Sequence, residues 1–189
     1  MPDTTTHADA LSGGFADPAV DAARAFRALM EAMARPGTRH ALSGAVPPAP
    51  LSPAAGTAIL SLCDPETPLH LAGPADTPEV RAWVAFHTGA PVVGRADCRF
   101  AVGPWEALAP LEDYAAGTPD YPDRSATLIV EVSDLDASGL DKTGARLTGP
   151  GIRDAAHLPL PDPDALARNA ARFPLGVDFL LTCGARVAA

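Results

Sequence analysis

Hydrophobic residues recur at helical spacing along the first half of the chain, and each recurring stretch follows a polar residue and a proline. The first stretch opens at Asp17-Pro18 and is interrupted at Pro36-Gly37. Its apolar positions lie three or four residues apart, at Val20, Ala23, Phe26, Met30 and Met33. This pattern predicts a helix with those side chains along one side.

The same opening predicts two further helices. One begins at Ser52-Pro53 and should run to Leu62, although Gly56 is a poor helix former. The positions expected to be buried on it are Ile59, Leu60 and Leu62. Another begins at Thr77-Pro78 and should end at Gly89. The positions sharing one face of it are Val80, Trp83, Val84 and His87. A last helix is predicted over residues 164–172.

Short runs of apolar and β-branched residues predict strands between and after these helices. They cover residues 38–42, 69–71, 99–102, 127–133 and 146–148. The run at 127–133 is almost continuously apolar, which is typical of a central strand. Residues 176–183 are also apolar, but the length of this segment leaves helix and strand open. Because helices and strands interleave, we predict an α/β fold in which helices cover a sheet.

The charge balance narrows the classes of partner. The 189 residues include 14 basic and 23 acidic side chains, a net charge of −9, which argues against a surface that follows a nucleic-acid backbone. The sequence contains no apolar run of membrane-helix length and opens without the basic and apolar regions of a signal peptide. We therefore expect a cytoplasmic protein with residues 1–14 as a flexible tail and residues 15–189 as one domain, with no nucleic-acid or membrane partner.

Residues that commonly bind metals are scattered along the sequence. Cys63, Cys98 and Cys183 form no C-x-x-C pair, and no two histidines lie two or four residues apart. Neither a disulfide framework nor a local metal site is predicted. Cys183 has apolar neighbours, so we expect it to be buried rather than nucleophilic.

Two segments carry groups that can bind an anion. Thr148, Gly149 and Gly151 can present backbone N–H groups to a phosphate, although Pro150 removes one donor and a tight turn explains the same residues. Arg35 follows the first helix, where it can pair with a carboxylate or phosphate or with its own helix end.

His87 and Thr88 end the third predicted helix. They are candidates for a ligand or subunit contact. Alternatively, the ring of His87 packs on the core face and its charge complements the helix dipole.

Lys142 is the single lysine of the chain, so any Schiff-base chemistry would have to use it. It lies in Asp141-Lys142-Thr143-Gly144, which matches the start of the aspartyl-phosphate motif of P-type pumps. Position 145 is Ala where that motif has Thr, and residues 133–140 are loop-like. We therefore interpret the segment as a turn.

Several blocks are more distinctive together than singly. They are Phe15-Ala-Asp-Pro18, residues 25–37, Phe86-His-Thr-Gly-Ala-Pro91, Arg146-Leu-Thr-Gly-Pro-Gly-Ile152 and Phe173-Pro-Leu-Gly-Val-Asp178 with Thr182-Cys-Gly184. In this order they resemble the PhnH family, the H subunit of the bacterial carbon–phosphorus lyase system.

The resemblance implies a cytoplasmic subunit of a complex through which bacteria use phosphonates. An early step attaches a phosphonate to the ribose of ATP with loss of adenine, and another subunit later breaks the carbon–phosphorus bond. The implied fold is a three-layer sandwich with a mixed sheet, homodimeric and similar to pyridoxal-phosphate-dependent transferases but without the cofactor. The other subunits of the complex are the implied partners, and no catalytic residue is carried over to this chain.

An accessory subunit is therefore the leading hypothesis. The alternative is a stand-alone nucleotide- or phosphonate-binding enzyme that uses Arg35, His87 and the Thr148–Gly151 turn, which requires these residues to meet in one pocket. A working pyridoxal enzyme built on Lys142 is a third hypothesis, disfavoured because the lysine lies in a polar loop.

Overall fold

The computed structural model describes residues 11–136 and 144–189. Five α-helices are present in this part of the chain: α1 Pro18–Ala34, α2 Pro53–Leu62, α3 Pro78–His87, α4 Trp105–Leu108 and α5 Pro163–Ala170. Ten strands accompany them: β1 His40–Ala41, β2 Leu69–Leu71, β3 Phe100–Pro104, β4 Ala116–Thr118, β5 Tyr121–Ser125, β6 Thr127–Glu131, β7 Ala145–Leu147, β8 Ala156–Leu158, β9 Asp178–Cys183 and β10 Arg186–Ala188.

The proline openings mark true helix starts. The side chains of Asp17, Ser52 and Thr77 accept a hydrogen bond from the backbone N–H three residues later, at 3.3, 3.1 and 3.2 Å. Asp162 does the same for α5 at 2.9 Å. Proline then fits the first helical position because its missing N–H would have no partner there.

The central sheet is mixed. Its six strands lie in the order β1-β10-β9-β6-β3-β2, with β2, β3, β6 and β9 mutually parallel and β10 antiparallel to both of its neighbours, β9 and β1. The segment 176–183, for which the sequence left helix and strand open, contains strand β9. The apolar run predicted to be a central strand at 127–133 contains β6. The predicted α/β class is confirmed, whereas the likeness to pyridoxal-phosphate-dependent transferases stays a prediction.

Helices α1, α2 and α3 cover one face of the sheet. Trp83, Ile59 and Leu29 pack there against inward-facing sheet residues such as Ile129 and Leu180. Gly56 is buried in α2. Glycine fits this position because a Cβ there would lie only 2.6 Å from the ring of Pro47. Of the positions predicted to be buried on α2, Ile59 is fully buried, whereas Leu60 and Leu62 are half-buried.

The helix predicted at Asp17-Pro18 is present as α1, but the apolar stripe identified on it is not the face that contacts the core. The side chains that contact the sheet layer are Ala25, Leu29 and Ala32. The predicted stripe faces solvent instead, with Val20 41%, Phe26 49%, Met30 56% and Met33 42% exposed and Ala23 also exposed. Both faces of α1 are apolar, and the smaller side chains are the ones that face inward.

Helices α4 and α5 and two antiparallel hairpins cover the other face. The hairpins are β4–β5 and β7–β8. Trp105, Leu108 and Leu158 pack there against side chains on this second face of the central sheet, among them Leu128 and Leu181. Elements on both faces of one mixed sheet give the layered arrangement expected from the resemblance.

Part of the predicted tail contacts the domain. Trp83 Nε1 donates a hydrogen bond to the carbonyl oxygen of Ser12 at 3.0 Å, and Val46 N donates to that of Gly13 at 2.8 Å. Residues 1–10 and the predicted turn that carries Lys142 lie outside the described residues. Within the described residues, no helix is long and apolar enough to cross a membrane.

Candidate functional site

Four of the six candidate contact residues lie around the carboxyl end of α1. The 148–151 turn packs directly on that end, since a Cβ at Gly151 would overlap the carbonyl oxygen of Ala34. Gly151 has a φ of +79°, which glycine adopts without strain. Arg35 is the C-cap residue of the same helix. The fold therefore brings these segments into one region although more than a hundred residues separate them.

Arg35 has local contacts with its own helix and with the residues that follow it. Its guanidinium lies 3.3 Å from the carboxylate of Glu31, and its backbone carbonyl accepts hydrogen bonds from the amide and hydroxyl of Thr38. This is the local pairing that the sequence offered as the alternative to ligand binding.

His87 and Thr88 have local contacts at the end of α3 that do not involve Arg35 or the 148–151 turn. The ring of His87 packs 5.1 Å from that of Trp83 and its Nε2 lies 3.3 Å from the carbonyl oxygen of Ser12. The hydroxyl of Thr88 donates to Val84 O and accepts from Ala90 N. These contacts match the structural role considered for His87 and give Thr88 a helix-capping role.

A groove of about 820 Å³ lies beside the 148–151 turn. Its walls come from the end of α1, the β7–β8 hairpin, α5 and β9, and Thr148, Gly149 and Pro150 form part of them. Its apolar lining includes Leu147, Leu158, Leu160, Leu166, Phe179 and Leu181. The volume lies in the range of small-molecule sites, and the lining is mainly apolar, as in such sites.

Few charged groups line this groove. They are Arg146, Asp164 and Asp178. Desolvation raises the pKa of Asp178, and a hydrogen bond with Ser125 partly opposes this effect. Arg146 is the cationic side chain of this lining and could pair with a carboxylate or a phosphate.

A second cavity of about 440 Å³ lies at the carboxyl ends of β3 and β6. This is where open α/β sheets commonly bind ligands. Its ionisable lining residues are Glu106, Glu131 and Asp134. Because its ionisable lining residues are all acidic, this cavity is a poor match for a phosphonate or a triphosphate.

Glu131 is the residue in this region that the sequence interpretation missed. Its carboxylate accepts hydrogen bonds from Ser52 N at 2.7 Å and Thr182 Oγ1 at 3.0 Å. It therefore joins β6, β9 and the start of α2, where the helix dipole favours a negative charge. A charged residue within the apolar run Leu-Ile-Val-Glu-Val was the signal that could have revealed it.

The cysteines do not form a reactive centre. Burial raises the pKa of Cys63 to about 12 and that of Cys98 to about 11, which keeps both thiols protonated at neutral pH. Cys183 is half-buried rather than buried as predicted, with its thiol 3.3 Å from the carbonyl oxygen of Ser133. Within residues 11–136 and 144–189, no three side chains that bind metals cluster together.

Comparison with known proteins identifies the family. Residues 13–189 match the family of bacterial phosphonate metabolism proteins named PhnH. The chain belongs to the PhnH family. A relative from Rhizobium meliloti (strain 1021), named alpha-D-ribose 1-methylphosphonate 5-triphosphate synthase subunit PhnH, is 44% identical over 186 residues, which cover 94% of this chain and 91% of the relative. The resemblance to PhnH seen in the sequence is confirmed, and the match spans all the elements described above.

Proposed function

We propose that this PhnH chain is an accessory, non-catalytic subunit of the carbon–phosphorus lyase core complex in the cytoplasm. In this proposal it forms a homodimer and binds other subunits, and so supports transfer of a phosphonate to the ribose of ATP with loss of adenine. The observation that carries the proposal is the uncovered apolar surface of the helical layer, defined below.

The helical layer exposes most of the large apolar side chains that face solvent in the described residues. Of nine such residues, seven belong to this layer or to the segments packed on it. They are Leu11, Val20, Phe26, Met30, Met33, Val46 and Phe86. A concentration of exposed apolar side chains on one layer supports a role in assembly.

The relative's name supports the same role, since it describes that protein as a synthase subunit. The arrangement of candidate residues also favours it over a stand-alone enzyme. That alternative needs His87 beside Arg35 and the 148–151 turn, whereas His87 contacts Trp83 and Ser12. We also expect no pyridoxal phosphate to bind, because the single lysine lies in a polar sequence.

Co-purification tests the assembly role directly. A tagged chain is produced together with the other proteins encoded for phosphonate use, and captured proteins are identified by mass spectrometry. Defined partner subunits should be retained by the wild type and by Phe173→Asp, which changes an exposed residue outside the helical layer. Phe86→Asp should reduce the yield of at least one partner, because a buried carboxylate lacks a counter-charge in an apolar interface.

The accessory role is tested on the isolated chain. Purified protein is incubated with ATP and methylphosphonate, and free adenine is measured by chromatography. We expect adenine release only when the other subunits are present. Release by the chain alone, reduced in Arg35→Ala or Arg146→Ala, would overturn the proposal and favour the stand-alone enzyme.

A further inference from the structure

We infer that a cavity between α5 and the segment following α4 binds a small oxyanion, with Arg168 and Arg172 holding the charged head of a phosphate or a phosphonate. This site rests on the proposed function only for the choice of methylphosphonate as a probe. It gives the subunit a ligand of its own and assigns no catalytic step to it. The cavity is distinct from the apolar groove and from the acidic cavity described above.

The cavity has a volume of about 180 Å³ and lies against the polar face of α5. Arg168 lines it, whereas Leu166 and Ala170 line the apolar groove, so the two spaces lie on opposite faces of the helix. Its other walls include Trp105, which is only 8% exposed, and the short helical turn Leu111–Asp113. The volume is below the roughly 300 Å³ at which sites for drug-sized molecules begin, so it suits one small charged group rather than a whole nucleotide.

Two arginines supply the positive charge of this cavity. Arg168 and Arg172 are exposed, lie four residues apart and both line it, so their side chains can reach one ligand. Neither makes a hydrogen bond or an ion pair with residues 11–136 or 144–189. Arg95, by contrast, donates to the carbonyl oxygens of Ala107 and Ala109 at 2.6 and 3.0 Å. A guanidinium binds two oxygens of a phosphate or phosphonate at once, which makes such an unpaired arginine pair suited to an oxyanion.

The end of α5 does not use these guanidinium groups as hydrogen-bond donors. Arginines near a helix end often bind the carbonyl groups that lack a partner there. Here backbone amides take that role, since those of Arg172 and Phe173 donate to the carbonyl oxygens of Asn169 and Ala170 at 3.0 and 3.1 Å. The negative end of the helix dipole still lies close by, so an oxyanion needs both arginine charges to bind here.

Asn169 fixes the wall that carries the arginines. Its amide nitrogen donates to the carbonyl oxygen of Val177 at 2.8 Å, and its amide oxygen accepts from the N–H of Val177 at 2.9 Å. Glycine at position 176 allows this close approach, because a Cβ there would lie 2.9 Å from the amide oxygen of Asn169. The paired contact ties α5 to the start of β9. A wall held in this way loses less conformational freedom when a ligand binds.

Two carboxylates also line the cavity, and they determine how binding can be strengthened. Asp162 is engaged as the N-cap of α5, where it accepts a hydrogen bond from Ala165 N at 2.9 Å. Glu112 is exposed and has no hydrogen bond or ion pair within the part of the chain that the structure describes. Its negative charge opposes an oxyanion in the same cavity. Neutralising Glu112 should therefore strengthen binding, whereas neutralising either arginine should weaken it.

Phosphorus NMR titration of the purified full chain tests the site, with methylphosphonate and inorganic phosphate as separate ligands. The wild type should bind at least one of them saturably, with a dissociation constant in the millimolar range or tighter. Arg168→Gln and Arg172→Gln should each weaken binding at least about fivefold, and Glu112→Gln should tighten it about twofold. The matched control is Arg27→Gln, an exposed arginine on α1 that lines none of the three cavities and should bind as the wild type does. Circular dichroism checks that each variant is folded.

The two ligands distinguish the sources of the oxyanion. Tighter binding of methylphosphonate supports the site and assigns it to phosphonates, whereas tighter binding of phosphate supports the site and assigns it to phosphate groups. Absence of saturable binding by both, or binding that is unchanged in both arginine variants, would overturn the site. Loss of partner capture in Arg168→Gln without any oxyanion binding would also overturn it and assign the arginines to an acidic segment of another protein. Adenine release and capture by the wild type are measured separately, so failure of the site is distinguishable from failure of the proposed function.

Discussion

The two layers that cover the central sheet are built in opposite ways. On the α1–α3 side, small residues such as Ala32 and Ala58 are fully buried and let the helices approach closely, while larger side chains of α1 point outward. On the α4–α5 side, large residues such as Leu158 and Leu181 face inward, yet a groove of about 820 Å³ remains between α5 and the sheet. Close packing therefore does not follow from the size of the inward side chains.

The two layers also differ in how their edges are attached. On the α5 side, polar contacts hold Leu135 and Asp136 against the edge of the sheet formed by β1 and β10. Arg39 donates hydrogen bonds to the carbonyl oxygens of Leu135 and His157 at 2.9 and 3.1 Å, and Arg186 pairs with Asp136. The helical layer depends on apolar burial, whereas this part of the other layer depends on arginine contacts.

The largest expected difference between the layers comes from truncating one leucine in each. Leu29→Ala should lower the free energy of unfolding by about 2–5 kcal/mol, because Leu29 is fully enclosed between α1 and the sheet layer. Leu166→Ala should cost less, about 1 kcal/mol, because that side chain is only half-buried and already borders the groove. Urea denaturation of both variants measures the contrast. Equal losses would show that the groove wall is as tightly packed as the helical layer.

Enlarging an alanine in each layer sharpens the same comparison. Ala58→Leu should destabilise the protein by about 1–3 kcal/mol, since no space surrounds this fully buried residue. Ala167→Leu adds the same atoms to the groove wall, where the change should stay within about 0.5 kcal/mol. Thermal unfolding followed by circular dichroism tests both. A large loss in Ala167→Leu would mean that the groove is not open to an added side chain.

Helix positions were predictable because their signals are local. A capping side chain followed by proline specifies where a helix begins, and Asp17, Ser52 and Thr77 each cap a helix as expected. The face that α1 buries was not predictable from periodicity, because both of its faces are apolar. Choosing between them requires the distance to the sheet, which α2 and the adjoining strands determine.

Short and polar strands escaped prediction for a related reason. Hairpin strand β5 is mostly exposed on both sides, so it lacks the alternation of buried and exposed residues that reveals a strand. Strand β10 has only three residues. Both form through pairing with a neighbour, which the local sequence does not encode.

The candidate site was predictable only in part. Arg35 and the 148–151 turn lie in one region because Gly151 packs on the end of α1. His87 was grouped with them by residue type, but its position depends on α3 and on the Ser12 contact. The groove itself is made by elements remote in sequence, so no local motif indicates it.

The smallest expected effect concerns the polar attachment of the α5 side. A hydrogen bond from Arg186, reinforced by the charges of Arg186 and Arg39, lowers the pKa of Asp136 below its ordinary value. A lowered folded-state pKa means that the ion pair contributes stability above the ordinary carboxyl pKa, near 4, and loses it as the pH falls through the lower folded-state value.

Asp136→Asn should therefore be less stable than the wild type at pH 7, and the difference should shrink below about pH 4 as Asp136 becomes protonated in the wild type. Urea midpoints at both pH values measure it, with Asp123→Asn as a control at a carboxylate that has no ion pair among the described residues. A difference that is unchanged at low pH would contradict the role of charge. Because solvent screens these side chains, added salt should also reduce the difference at pH 7, which apolar packing of the helical layer would not show.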